Sequence, residues 1–206
     1  MDSKIIINKT AILILAAGGS SRLGKPKQLL PMGQSSLLNH VIDVAQESGI
    51  DLVVTVLGAY FDEVHKSIQH QNITIIRNEQ WQQGMASSIV FSINHIMINF
   101  PDIQQVIILL GDQPLLKAND LIKLIELQDV NNAQIVYTDY GKNFGPPILF
   151  TKKTFPSLLQ LKGDEGAKKI IKTNQYFSSS IRAVGSDFDI DTEGDYETIK
   201  KVLNSI

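Results

Sequence analysis

AILILAA, residues 11 to 17, is a short unbroken apolar run, and it leads directly into GGSSRLGKPKQLL, residues 18 to 30. A continuous apolar stretch of this length is the pattern of a strand covered on both faces by helices. Gly18 and Gly19 then permit backbone angles that expose successive amides. Ser20 and Ser21 add hydroxyl donors, and Arg22, Lys25 and Lys27 add positive charge. Such a loop at a strand end can wrap a polyphosphate. The same residues would also make an ordinary glycine turn with solvated lysines. Neither G-x-G-x-x-G nor G-x-x-x-x-G-K-[ST] is present, so the loop is neither a dinucleotide fingerprint nor a Walker loop.

Outward from this stretch the chain alternates. Residues 36–48 carry Leu37, Leu38, Val41, Ile42 and Ala45 at helical spacing, followed by the apolar run LVVTVL, residues 52–57. Further elements are expected as a helix over 62–68, a strand at 73–76, a helix over 86–98, a strand at 105–110 (QVIILL) and a helix over 119–127. This rhythm indicates an α/β fold with a mainly parallel sheet. The runs at 134–138 and 147–150 have no long helix between them, which predicts a small antiparallel excursion. Two short helices near 154–161 and 165–173, a strand at 180–184 and a helix over 193–203 complete the series. In such sheets ligands sit outside the carboxyl ends of the strands, where both the glycine loop and Gly111-Asp112-Gln113-Pro114 fall.

With 206 residues, 43% of them hydrophobic, the chain is long enough for one substantial core. A net charge of −2 and a pI near 6.1 argue against broad capture of nucleic acid or an anionic membrane. The absence of cysteine excludes disulfides, thiolate metal sites and a thiol nucleophile. The amino-terminal MDSKIIINKT lacks a signal-peptide core and no stretch has the length of a membrane span, so a soluble, cytoplasmic protein is expected.

Asp112, at the end of a buried strand, would project into the same crevice as the glycine loop. A carboxylate there would repel a phosphate ligand unless a cation lay between them, and magnesium suits one or two carboxylates together with phosphates. Asp112 also reads as a turn residue ahead of Pro114.

Leu15-Ala16-Ala17-Gly18-x-Ser20-x-Arg22-Leu23-Gly24, with Lys27 three residues later, resembles the signature of the MobA-like nucleotidyltransferases. Gly111-Asp112-Gln113-Pro114 is more similar to the molybdenum cofactor cytidylyltransferases than to the guanylyltransferases of that family. NEQWQQGMASS (78–88), Gly145 to Phe150, Gly163-Asp164-Glu165-Gly166-Ala167 and Asp189-Ile190-Asp191-Thr192 resemble the same subgroup, in order along nearly the whole chain. The resemblance implies a Rossmann-like three-layer fold and one nucleotidyltransferase domain over 1–206. It further implies transfer of CMP from CTP to the terminal phosphate of a phosphorylated pterin, with handover to a molybdoenzyme or its chaperone.

By the same resemblance, Ala16, Ala17, Gly18, Gly19 and Ser20 would cradle the CTP phosphates. Arg22 would take the leaving pyrophosphate and Lys27 the α-phosphate, while Asn78, Gly84 and Ser88 would meet base and ribose. Asp112 and Asp191 would hold magnesium, with Asp189 as a substitute for the latter. Gly145, Gly163, Asp164 and Gly166 would approach the acceptor. Pro146 stands where relatives often have histidine, and Glu193-Gly194-Asp195 replaces their usual Pro-Glu-Asp. Lys25 has no role carried over. Trp81 is read as a packing anchor rather than a base-stacking platform, and Thr192 with Asp195 has capping-box spacing. His40, His65, His70 and His95 are scattered without ligand spacing. The alternatives are a guanylyltransferase, a sugar- or polyol-phosphate cytidylyltransferase such as the methylerythritol phosphate enzymes, and a non-catalytic nucleotide-binding regulator.

Overall fold

The computed structural model describes residues 9–183 and 188–203. Residues 1–8, and Val184 at the end of the expected last strand, lie outside the described residues. The first half runs β1 (Thr10–Ala16), β2 (Pro31–Met32), β3 (Ser35–Ser36), α1 (Leu37–Glu47), β4 (Leu52–Leu57), α2 (Phe61–Ser67), β5 (Thr74–Arg77), α3 (Met85–Asn99) and β6 (Gln105–Leu110). The second half runs α4 (Ala118–Asn131), β7 (Ile135–Asp139), β8 (Phe144–Thr151), α5 (Phe155–Leu158), α6 (Lys168–Lys172), β9 (Ser178–Arg182) and α7 (Glu193–Leu203).

Seven strands form one sheet in the order β5-β4-β1-β6-β8-β7-β9. β5, β4, β1 and β6 are mutually parallel, with β1 in the middle of them. Period-2 alternation sends Ile12 and Ile14 of β1 to one face and Ala11 and Leu13 to the other. The first face packs on Leu38, Val41 and Ile42 of α1 and on Leu121 and Leu124 of α4. The second packs on Ile89, Ile93 and Ile96 of α3, all fully buried. Each such side chain contributes about 1.5–3 kcal/mol of burial. Both faces are thus covered, which is why the strands read as continuous apolar runs and not as alternating ones.

The antiparallel step lies inside the sheet, because β8 inserts between β6 and β7 and runs against both. A tight turn with Tyr140 N donating to Asn143 O (2.9 Å) makes the hairpin, and β9 then pairs in parallel with β7. The β2–β3 ribbon leaves no periodicity in the sequence, because each strand has only two residues. It matters for the site. With Leu37 it forms a small core against Ile190, Tyr196 and Ile199, and Tyr196 Oη donates to Pro31 O (2.8 Å). This docks the carboxyl-terminal segment beside the glycine loop. The helix expected over 165–173 is confined to α6, because residues 163–167 before it are turn and irregular backbone. Among the described residues no helix is long and apolar enough to cross a membrane.

Candidate nucleotide-binding site

The site is built on the neighbouring ends of β1 and β6, which β4 flanks on one side and β8 on the other. Gly111 N donates to Leu15 O and Ala59 N to Ala17 O, both at 3.0 Å, so the β1 end is held from two directions before the loop departs. Within the loop Ser20 adopts a left-handed conformation (φ 51°), and its carbonyl accepts from Leu23 N and Gly24 N at 3.0 Å. Its Oγ accepts from Lys27 N at 3.1 Å. Ser20 therefore shapes the loop from inside and fixes the backbone of Lys27.

Gln28, only 2% exposed, donates Nε2 to Ala16 O (2.8 Å) and Gly18 O (3.1 Å), clamping the two ends of the cradle. No motif spacing points to this residue, because its partners are backbone carbonyls. Trp81 is the packing anchor under the loop: a Cβ on Gly19 would lie 3.0 Å from its ring, and one on Gly58 only 2.6 Å from its own Cβ. Its ring also forms part of the cavity wall.

Two cationic side chains, Arg22 and Lys27, and three carboxylates, Asp112, Asp189 and Asp191, meet at one side of the cradle. Lys27 Nζ donates to Asp112 Oδ2 and, at 3.2 Å, to Asp191 Oδ1. Arg22 Nη2 donates to Asp191 Oδ2 at 2.8 Å. Ile190 N donates to Asp112 O (3.1 Å), a backbone bond that brings Asp189 and Asp191 to the end of β6. Burial works against the charge on Lys27, yet the attraction of Asp112 and then Asp191 prevails and holds its pKa above the ordinary lysine value. Lys25 turns away, pairing with Glu193 at 2.9 Å. Thr192 and Asp195 make the reciprocal capping bonds, Thr192 N to Asp195 Oδ2 at 2.8 Å and Asp195 N to Thr192 Oγ1 at 3.2 Å, and so begin α7.

Gln113 had no assigned role in the sequence, yet it is buried and donates Nε2 to Asp189 Oδ1 at 3.0 Å. Asp189 retains exposed surface as a residue, but desolvation of its carboxyl group, followed by repulsion from Asp112, pushes its pKa up to about 6. The native state therefore holds a proton that the unfolded chain, titrating near 3.8, has already released. Stability falls as pH rises between these values, and the loss is complete above about 6. Asp189→Asn keeps the acceptor for Gln113 and removes the charge. In metal-free buffer it should melt above the wild type at pH 7.5, with the difference vanishing below pH 4. A constant difference across thermal melts from pH 3.5 to 8 would exclude this origin.

A cavity of about 450 Å³ is lined by Ala16, Ala17, Gly18, Gly19, Arg22, Lys27, Gly84, Ser88, Asp112 and Asp164, among others. The structure thus brings together most of the residues expected at the nucleotide. Asn78 is placed behind the wall instead. It is 3% exposed and its Nδ2 donates to Ser87 Oγ (2.9 Å) and Ser88 Oγ (3.0 Å), so it positions the start of α3 and does not face the cavity. Gly84 touches the segment expected to meet an acceptor directly, since Gly163 O lies 2.3 Å from where its Cβ would be. Gly166 and Lys168, with Pro146, line a second cavity of about 430 Å³ that shares Leu15, Met85 and Leu110 with the first, and Gly145 packs against Lys168. Gly163 accepts from Ala86 N at 3.0 Å and lines neither of these two cavities.

The donor set suits a hard divalent cation. Asp112 Oδ1 is buried without a hydrogen-bond partner among the described residues, and Asp112 and Asp191 converge on one ammonium position. No group of three His, Cys, Asp or Glu arranged to hold a metal occurs among the described residues, and two carboxylates completed by ligand phosphates is a set that such an ion accepts. The histidines are engaged elsewhere. His40 contacts Pro114 O at 2.9 Å, His65 stacks on Phe61, His70 lies 3.3 Å from Asp43, and His95 packs on Phe100.

A model of the MobA-like NTP transferase domain matches residues 12–179. The molybdenum cofactor cytidylyltransferase of Escherichia coli strain K12 is 28% identical over 195 residues, 94% of this chain and 97% of that protein. The purine catabolism protein PucB of Bacillus subtilis strain 168 is 26% identical over 205 residues, 93% of this chain and 96% of that protein. The crystal structure of a Mycobacterium tuberculosis Rv0371c homolog from Mycobacterium sp. strain JC1 superposes with a TM-score of 0.85 at 28% identity, covering 96% of this chain and 98% of that one. Since the matched span begins within β1 and ends in β9, taking in the glycine cradle and the carboxylate turn that faces it, the chain belongs to the MobA-like NTP transferases, a family of nucleotidyltransferases.

Proposed function

We propose that the protein is a magnesium-dependent cytidylyltransferase that moves CMP from CTP to the terminal phosphate of molybdopterin and releases pyrophosphate. The observation that carries this reading is the meeting of Lys27, Asp112 and Asp191 at a cavity walled by the glycine loop. The Gly-Asp-Gln-Pro turn and the similarity to a molybdenum cofactor cytidylyltransferase support the choice of nucleotide and acceptor. In this reading the chain works as one domain in the cytoplasm and passes its product to a molybdoenzyme or its chaperone.

Backbone groups from Ala16 to Gly19 hold the triphosphate. Arg22 offers a planar fork to the terminal phosphates that leave, and Lys27 supplies a compact charge that follows the α-phosphate. Asp112 and Asp191 would hold magnesium, which when bound would supply neutralisation of the triphosphate charge. An oxygen of the acceptor phosphate attacks the α-phosphorus, the bond from that phosphorus to the bridging oxygen breaks, and pyrophosphate departs. A phosphate monoester is largely dianionic at pH 7, so this nucleophile needs no strong base. Positioning and charge neutralisation do the catalytic work.

Purified protein mixed with molybdenum cofactor, magnesium and each NTP should release pyrophosphate with CTP and yield cytidylylated cofactor. Transfer from GTP alone would overturn the cytidylyl assignment. CTP turnover only with a sugar or polyol phosphate would overturn the pterin, and nucleotide binding without any release would point to a regulator.

A further inference from the structure

The second cavity carries a charge pattern that sorts three adjacent lysines. Lys168, Lys169 and Lys172 all line it, from the short helix α6. Lys169 is engaged, its Nζ 2.5 Å from Glu165 Oε1. Asp189, another carboxylate of the cavity, is held by Gln113. Lys168 and Lys172, one helical turn apart, have neither an ion pair nor a side-chain hydrogen bond among the described residues. Two ammonium groups without a direct ion pair therefore stand at a cavity that also holds Leu15, Ile108 and Leu110, with Asp189 as the one carboxylate there not paired to a lysine.

Lys168 is half-buried and crosses the start of β8 in a lane kept open by Gly145. A Cβ there would lie 2.5 Å from its Cε and 2.9 Å from its Nζ. That end of the cavity is the one nearest the carboxylate centre, since the adjoining Pro146 O accepts from Gln113 Nε2 (3.4 Å), next to Asp112. An apolar floor with a doubly cationic edge fits a molecule with a flat, weakly polar ring body and one group bearing two negative charges, such as a phosphate monoester.

We infer that Lys168 and Lys172, and not Lys169, hold the phosphate of the acceptor, whose ring rests on Leu15, Ile108 and Leu110. This rests on reading the adjoining cavity as the nucleotide site, with which it shares Leu15, Met85 and Leu110. The lysines select for a dianionic acceptor and present its phosphate toward the Lys27 end of the nucleotide cavity.

The test is equilibrium binding of 6-hydroxymethylpterin monophosphate and its unphosphorylated alcohol, followed by pterin fluorescence anisotropy. The full chain should favour the phosphate ester by about tenfold or more, on the scale of charge-assisted bonds. Lys168→Gln/Lys172→Gln should abolish that preference and leave affinity for the alcohol unchanged, Lys168→Arg/Lys172→Arg should retain it, and Lys169→Gln should leave it intact. A preference equal in wild type and the double Gln variant, absent from the wild type, or lost with Lys169→Gln would overturn the inference. The pyrophosphate assay is separate: a retained phosphate preference without turnover from any NTP would count against the proposed function and leave this site standing.

Discussion

Lys27→Ala should slow pyrophosphate release by about a thousandfold, the scale on which removal of a preorganised charge acts in a transition state. Lys27 has two tasks, and its loss strikes both. In the proposed mechanism it supplies the charge for the α-phosphate, and in the structure it compensates Asp112, whose side chain is 13% exposed against 18% for the lysine. Removing one member of so enclosed a pair leaves an uncompensated carboxylate and should lower stability by about 2–3 kcal/mol, toward the lower end for such pairs because some solvent remains. The two effects separate in Lys27→Met/Asp112→Asn, which lacks both charges. That variant should recover most of the stability in urea denaturation and none of the activity. Asp112→Ala should lose turnover to a similar degree. Near-wild-type release by either single variant, with the correct acceptor, would remove that residue from the mechanism.

Gly84→Ala is expected to be the most damaging methyl addition among the described glycines. Gly84 has φ 98° and ψ 176°, a region essentially confined to glycine. Its added carbon would fall 2.3 Å from Gly163 O and 2.4 Å from Gly163 C, both backbone atoms that cannot rotate aside. Either the Trp81–Gln83 turn or the segment after Gly163 must move, which breaks the bond from Ala86 N to Gly163 O (3.0 Å) and shifts Trp81 from beneath Gly19. The expected result is a loss of about 3 kcal/mol or more in chemical denaturation, together with a rise in KM for the nucleotide. Gly194→Ala in α7, where the added carbon meets nothing closer than 3.7 Å, is the matched control and should be neutral or slightly stabilising. Equal stability of the two variants would refute the account.

The strands that carry the site were legible because each is buried on both faces and so writes itself as an apolar run: residues 11–17, 52–57 and 105–110 all appear as strands of the parallel half. Their ends fixed where a ligand must sit, and the charged residues at those ends, Arg22, Lys27 and Asp112, do line the cavity. Two expectations moved for the same reason. Ser20 and Asn78 stand in loops whose polar side chains serve the loop's own backbone and neighbours, with Ser20 Oγ accepting from Lys27 N and Asn78 Nδ2 donating to Ser87 and Ser88. A polar residue in a motif has the same spelling whether it faces a ligand or braces the loop.

What the sequence determined by itself was local: the alternation of buried strands and helices, the glycine loop, the capping pair Thr192 and Asp195, and the residue types able to meet phosphate. Only the tertiary structure decided which charges belong together. Asp191 lies 164 positions from Lys27 and reaches it because Ile190 N bonds Asp112 O and the β2–β3 ribbon anchors α7. Likewise Lys168 and Lys169 are neighbours in the chain, yet Glu165 neutralises one while Gly145 gives the other a path across β8. Such pairings depend on through-space distance and on burial, and neither is encoded in the spacing of residues along a chain.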